Sequence, residues 1–168
     1  MLLIKNGIVY TMTGDVIDTG SVLIEKDKII EVGREIKRPM QEHDTIIDAI
    51  GLWVMPGLID AHCHIGITEE KMGLEGDDCN ETTTPVTPYL RAMDAINTLD
   101  PAFHNALQAG ITSVMVGPGS CNVVGGQFVF MKTHGRDIEK MIVLEPAAMK
   151  ISFGENPKAS YKEMNMQP

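Results

Sequence analysis

The sequence predicts an α/β protein in which a small β-sandwich module, residues 1–54, precedes part of a parallel α/β barrel, residues 55–168. Three observations predict it. Residues 1–54 break into short apolar runs separated by glycine, asparagine and charged residues, which is how a β module reads. The run Leu58-Ile59-Asp60-Ala61-His62-Cys63-His64 alternates, with Ile59, Ala61 and Cys63 on one face and Asp60, His62 and His64 on the other. Polar groups gathered toward the C-terminal end of such a strand suit a parallel barrel, where the chemistry sits at that end. Residues 100–116 then read as helix, glycine and strand, the pattern of a β/α unit.

The elements follow in order. Leu2–Lys5 and Ile8–Met12 flank Asn6-Gly7, a type I′ hairpin signal. Ser21–Glu25 and Ile29–Val32 flank Lys26-Asp27-Lys28, a second hairpin. Thr45–Asp48 and Leu52–Met55 add two strands around Gly51. Residues 66–98 have no clean period and read as a long loop, functional or partly disordered, with one short helix expected from Thr87-Pro88 through Leu90, Met93 and Ile96.

Asp100 is placed to cap a helix, with Pro101 at its first position. Phe103, Ala106 and Leu107 form its apolar stripe, and Gly110 ends it before the strand Ile111–Val116. Gly117-Pro118-Gly119-Ser120 and Gly125-Gly126-Gln127 read either as a plain tight loop or as a glycine-rich loop able to bring backbone N–H groups to a ligand. It matches neither the phosphate-loop nor the dinucleotide fingerprint. Phe128–Thr133 and Lys140–Leu144 read as strands on either side of His134-Gly135-Arg136-Asp137. His104 reads as an ordinary surface or packing residue of the helix, and His134 as a solvated turn residue. The polar end of the chain carries no expected closing helix, and its methionines, Met164 and Met166, lie in a tail expected to fray.

The chemistry concentrates at His62 and His64. Two imidazoles two positions apart on a strand project to the same side, so their nitrogens can share one metal ion. Imidazole accepts zinc, iron, nickel or cobalt, so the pair does not choose the metal. A net charge of −9 argues against a general nucleic-acid surface. No apolar run approaches the ~20 residues of a membrane helix. Leu2-Leu3-Ile4 meets Lys5-Asn6-Gly7 at once, too soon for a secretion signal, and three cysteines without finger spacing fit a reducing cytoplasm.

The run Val54-Met55-Pro56-Gly57-Leu58-Ile59-Asp60-Ala61-His62-Cys63-His64 resembles the amidohydrolase superfamily of metal-dependent hydrolases. Asn80-Glu81, Pro85-Val86-Thr87-Pro88, Arg91-Ala92-Met93-Asp94, Ile96-Asn97, Ala109–Val114, Pro118–Gln127 and Met149–Lys158 extend the resemblance, nearest to its imidazolonepropionase-like branch. It implies a TIM-type (β/α)₈ barrel with a β-sandwich built from both chain ends. It implies His62 and His64 as ligands of a divalent metal, zinc first, with iron, manganese, nickel or cobalt as alternatives. It also implies hydrolysis of amide or cyclic C–N bonds of a small molecule by a metal-activated water. Relatives of this type take a third ligand, a glutamate or a carboxylated lysine, from a middle strand. Glu155 is preferred because its carboxylate needs no modification, and Lys150 is the alternative. Asn122, Gly125, Gly126 and Gln127 are the substrate-binding candidates.

A whole barrel needs about 250 residues. Residues 55–168 suffice for about three β/α units, and after His64 only His104 and His134 remain. The expectation is therefore the N-terminal portion of a hydrolase, inactive alone, able to self-associate or to pair with a C-terminal fragment. The competing expectation is a non-catalytic binding or assembly module, or a metal-binding domain, on the same fold.

Overall fold

In the computed structural model, which describes residues 1–166, the chain divides into two units, Met1–Pro56 and one that starts at Gly57. The first unit holds β1 (Leu2–Tyr10), β2 (Val16–Glu25), β3 (Lys28–Gly33), β4 (Thr45–Asp48) and β5 (Trp53–Val54). They form one sheet in the order β3-β2-β1-β4, with β5 also paired to β1.

Asn6-Gly7 does not turn the chain, contrary to the sequence expectation. β1 runs straight through it, and its register with β2 shifts between Ile4 and Gly7. The left-handed Asn6 (φ +63°) makes a bulge there, tied down by its amide donating to Asp48 Oδ1 at 3.0 Å. A Cβ at Gly7 would stand 2.6 Å from Val54 Cγ2, so close strand packing explains the glycine. The second hairpin forms as read, with β2 and β3 antiparallel across Lys26 (φ +57°) and Asp27.

The second unit holds β6 (Leu58–Cys63), α1 (Pro101–Gln108), β7 (Ile111–Val116), β8 (Val124–Lys132), α2 (Ile138–Met141), β9 (Ile142–Ile151) and α3 (Glu155–Glu163). Its sheet runs β6-β7-β8-β9. β6 and β7 are parallel, joined by the long segment that ends in α1. β8 and β9 are antiparallel to their neighbours, so the expected run of about three β/α units stops after one among the described residues. Chain length explains this. A parallel crossover takes roughly a dozen residues or more, and residues 117–123 and 133–141 are too few.

The core lies between this sheet and the segments packed on it: Ile67, Phe103, Val114, Val116, Val129, Met131 and Met141 are buried together. Asp100 caps α1 as expected, accepting from the Ala102 N–H at 2.9 Å, and Gly110 follows the helix at φ +85°. The helix expected after Thr87-Pro88 shrinks to one 3₁₀ turn, Ala92–Asp94. β8 competes for its backbone: Thr87 N–H donates to Val124 O, Gln127 N–H donates to Leu90 O, and bridges join Val86 to Val124 and Arg91 to Gln127.

Three further expectations are corrected. Gly125-Gly126-Gln127 lies inside strand β8 rather than in a loop, and Lys140 belongs to the single turn α2 before β9 begins. A closing helix exists: α3 docks through Tyr161, which is fully buried. Met166 N–H still donates to Tyr161 O, so the tail is ordered that far; the expectation of fraying at positions 167–168 lies outside the described residues. No helix among the described residues is long and apolar enough to cross a membrane.

Candidate metal centre

β6 carries His62, and His64 follows one residue past its end. Pairing to β7 breaks register between Asp60 and Cys63, where the Asp60 carboxylate accepts from the His62 N–H at 3.1 Å. The two imidazoles nevertheless come together, with ring centroids 5.3 Å apart and planes at 87°.

Each ring is held by a different neighbour. His64 Nδ1 lies 2.7 Å from the Gly117 carbonyl oxygen. A carbonyl only accepts, so this contact puts the proton on Nδ1 and leaves the Nε2 lone pair free. His62 stands edge-on against Phe128, at 5.4 Å and 81°. Lys150, on β9, brings Nζ to 3.4 Å from His62 Nε2 and over the Phe128 ring at 6.0 Å. Loss of solvation, then the Lys150 and His64 charges, push the His62 pKa below its ordinary value against the opposing pull of Asp60. Neutral imidazole is the form that binds a metal.

The expected third ligands separate in space. Lys150 stands beside His62. Glu155 is the first residue of α3, 92 % exposed at its side chain and 3.8 Å from Lys158 Nζ. Among the described residues, no three His, Cys, Asp or Glu side chains converge closely enough to hold an ion, so Glu155 does not join the histidine pair.

The substrate-binding candidates are engaged in structure. Asn122 is buried, its Nδ2 donating to Thr87 Oγ1 at 2.9 Å and its Oδ1 accepting from Tyr161 OH at 2.6 Å. Gln127 Nε2 donates to Pro88 O at 3.0 Å. Gly126 sits at φ +128°, with Leu90 O 2.7 Å from where a Cβ would be. Gly125 lines a cleft of about 310 Å³ together with Asp78, Asn80, Glu81 and Arg91. Phe128, which touches His62, carried only the signal of a strand apolar in the sequence. Gly117 was read in a glycine-rich loop offering N–H groups to a ligand, whereas its carbonyl oxygen is what meets His64.

No protein-family model matches the chain. Over 162 residues it is 32 % identical to the amidohydrolase tasK of Hapsidospora irregularis, covering 89 % of this chain and 16 % of that protein. The crystal structure of an amidohydrolase from Thermotoga maritima MSB8 matches at a TM-score of 0.93 and 42 % identity, covering 100 % of this chain and 43 % of that one. The chain belongs to the amidohydrolase superfamily. A 5'-deoxyadenosine deaminase of Methanosarcina mazei is 45 % identical over 69 residues, 40 % of this chain and 15 % of that protein. The amidohydrolase chain described here thus spans about a sixth of the length of these curated relatives.

Proposed function

We propose that this chain forms the N-terminal part of a metal-dependent amidohydrolase of the imidazolonepropionase-like branch, which hydrolyses amide or cyclic amide C–N bonds of a small molecule in the cytoplasm. The observation that carries the reading is the joint arrangement of His62 and His64, with ring centroids 5.3 Å apart. The donor chemistry suits a divalent ion, zinc first and iron, manganese, nickel or cobalt as alternatives. His64 offers Nε2 because Gly117 O holds the proton on Nδ1. His62, with its pKa depressed, is readily neutral at physiological pH.

Lys150 is the better third donor, on the strength of its 3.4 Å approach to His62 Nε2. An ammonium is no ligand, so Lys150 would serve as its carboxylated form. A bound ion supplies Lewis acidity and lowers the pKa of a water enough to make it a nucleophile near neutral pH. The protein's own part is to hold two neutral imidazoles and one further donor at the end of β6. Among the described residues no group is placed as a general acid or base for the leaving nitrogen. We therefore read the 168-residue chain as inactive alone, with activity requiring the rest of a barrel. The free thiols of Cys63, Cys79 and Cys121 suit a reducing compartment.

A chimera tests this. Residues 1–166 are joined to the remainder of the Thermotoga maritima amidohydrolase, metal-loaded, and assayed beside that parent on amides and cyclic amides. We expect hydrolysis by the chimera, its loss in His62→Ala, and none by the 168-residue chain. A folded, metal-loaded but inert chimera would contradict the reading, as would clear metal-dependent turnover by the chain alone.

A further inference from the structure

Gly117 and Phe128 interlock directly beneath the histidine pair. Phe128 is 5 % exposed and lies on β8, while Gly117 follows the last residue of β7. A Cβ on residue 117 would stand 2.1 Å from Phe128 Cε1, so the ring occupies the place of the missing side chain. The Gly117 peptide is meanwhile committed on both sides. Its N–H donates to Cys63 O at 3.2 Å, and its carbonyl accepts from His64 Nδ1 at 2.7 Å. The same ring meets His62 edge-to-face, and Lys150 Nζ stands over it.

We propose that Phe128, seated against Gly117, is the positioning residue of the metal centre. One ring sets the His62 imidazole and the Lys150 amine directly, and its fit against Gly117 sets the carbonyl that orients His64. The proposal rests on the reading of His62 and His64 as metal ligands. It assigns Phe128 a part that its apolar character alone does not require: leucine would fill much of the same buried space, but it offers no flat face. Edge-to-face packing against the His62 imidazole needs an aromatic group. Outer-shell partners that orient metal-binding imidazoles typically change metal affinity 10–100-fold when removed.

The full chain is tested with cobalt(II) and zinc(II) as probes. Zinc affinity is measured by chelator competition and ligand geometry by the visible spectrum of bound cobalt, with stability followed in parallel by urea unfolding. In Phe128→Leu we expect zinc binding roughly 10–100-fold weaker and a changed cobalt spectrum. Val129→Ala is the control: Val129 is fully buried in the core next along β8, so its truncation lowers stability and leaves both metal readouts unchanged. Gly117→Ala forces the ring aside and weakens zinc similarly. Gly117→Ala combined with Phe128→Leu makes room for the new methyl, so the double variant binds better than the sum of the two losses. Phe128→Met replaces Phe128→Leu should that variant not fold.

Wild-type affinity and spectrum in a folded Phe128→Leu would overturn the positioning role while leaving the metal site intact. Strictly additive losses for the Gly117 and Phe128 pair would also overturn it. A wild-type chain that takes up neither probe would instead overturn the ligand reading itself, and the positioning role with it.

Discussion

His64 is oriented through the nitrogen that a metal would not use, and that asymmetry gives the residue scale its tests. Its Nδ1 is committed to Gly117 O, whereas His62 Nε2 faces Lys150. If Lys150 supplies the third donor, Lys150→Ala weakens zinc at least about 10-fold by chelator competition, and Glu155→Ala leaves it unchanged. The reverse pattern would return the role to Glu155. The histidine pair was legible because strand alternation sends alternate side chains to one side. The choice between Lys150 and Glu155 was not legible. It depends on the antiparallel register that sets Lys150 opposite Gly126, and on a helix that carries Glu155 into solvent.

Glu81 supplies a pH test at the same scale. Its Oε1 accepts from the N–H groups of Thr82 and Thr83, both at 2.7 Å, and the Thr83 contact does most to hold its pKa below the ordinary value. A folded-state pKa below the unfolded one gives stability that is present above the unfolded value, about 4.3. That stability is lost as pH falls through the folded value. Glu81→Gln should therefore flatten the acid limb of stability below about pH 5, read by urea unfolding across pH 3–6. A limb of unchanged slope would show that the turn makes no such contribution.

At the scale of elements, helix α1 was the most legible part, because capping is local chemistry. Asp100 does more than cap. Its Oδ1 accepts from Ala102 and Glu70, and its Oδ2 from Gly66, so one buried carboxylate joins α1 to the loop beyond His64. Asp100→Ala should cost about 2–4 kcal/mol in urea unfolding, a lost cap plus buried N–H groups left without partners. A cost within the range of an exposed cap alone, about 1 kcal/mol, would show that the loop does not depend on it. Helix α3 was not legible. Its own residues are largely polar, and it is held by two buried side chains, Pro157 and Tyr161, the Tyr161 hydroxyl reaching Asn122 across the chain. The Asn6-Gly7 bulge and the extended 86–91 segment escaped for a similar reason. Sheet partners distant in sequence overrode a local turn or helix signal, as pairing to β4 and β8 records.

At the scale of the whole molecule, the parallel expectation failed where connections are short. Apolar side chains remain exposed in each unit: Ile46, Ile47, Ile50, Leu52 and Trp53 in the first, and Leu58, Ile59, Val143, Leu144, Ile151 and Phe153 in the second. Surfaces of this kind drive association. The isolated chain should therefore sediment as concentration-dependent oligomers and bind a hydrophobic dye while retaining native β structure. A monodisperse monomer with no dye binding would favour the self-sufficient binding or assembly module over part of a larger barrel.

The most direct measurement is equilibrium dialysis of the folded chain against zinc, beside the double variant His62→Ala, His64→Ala. We expect the wild-type chain to retain about one equivalent of ion and the variant none, with matched circular dichroism. Equal retention by both, or none by either, would contradict the assignment of these two imidazoles as the metal-binding pair.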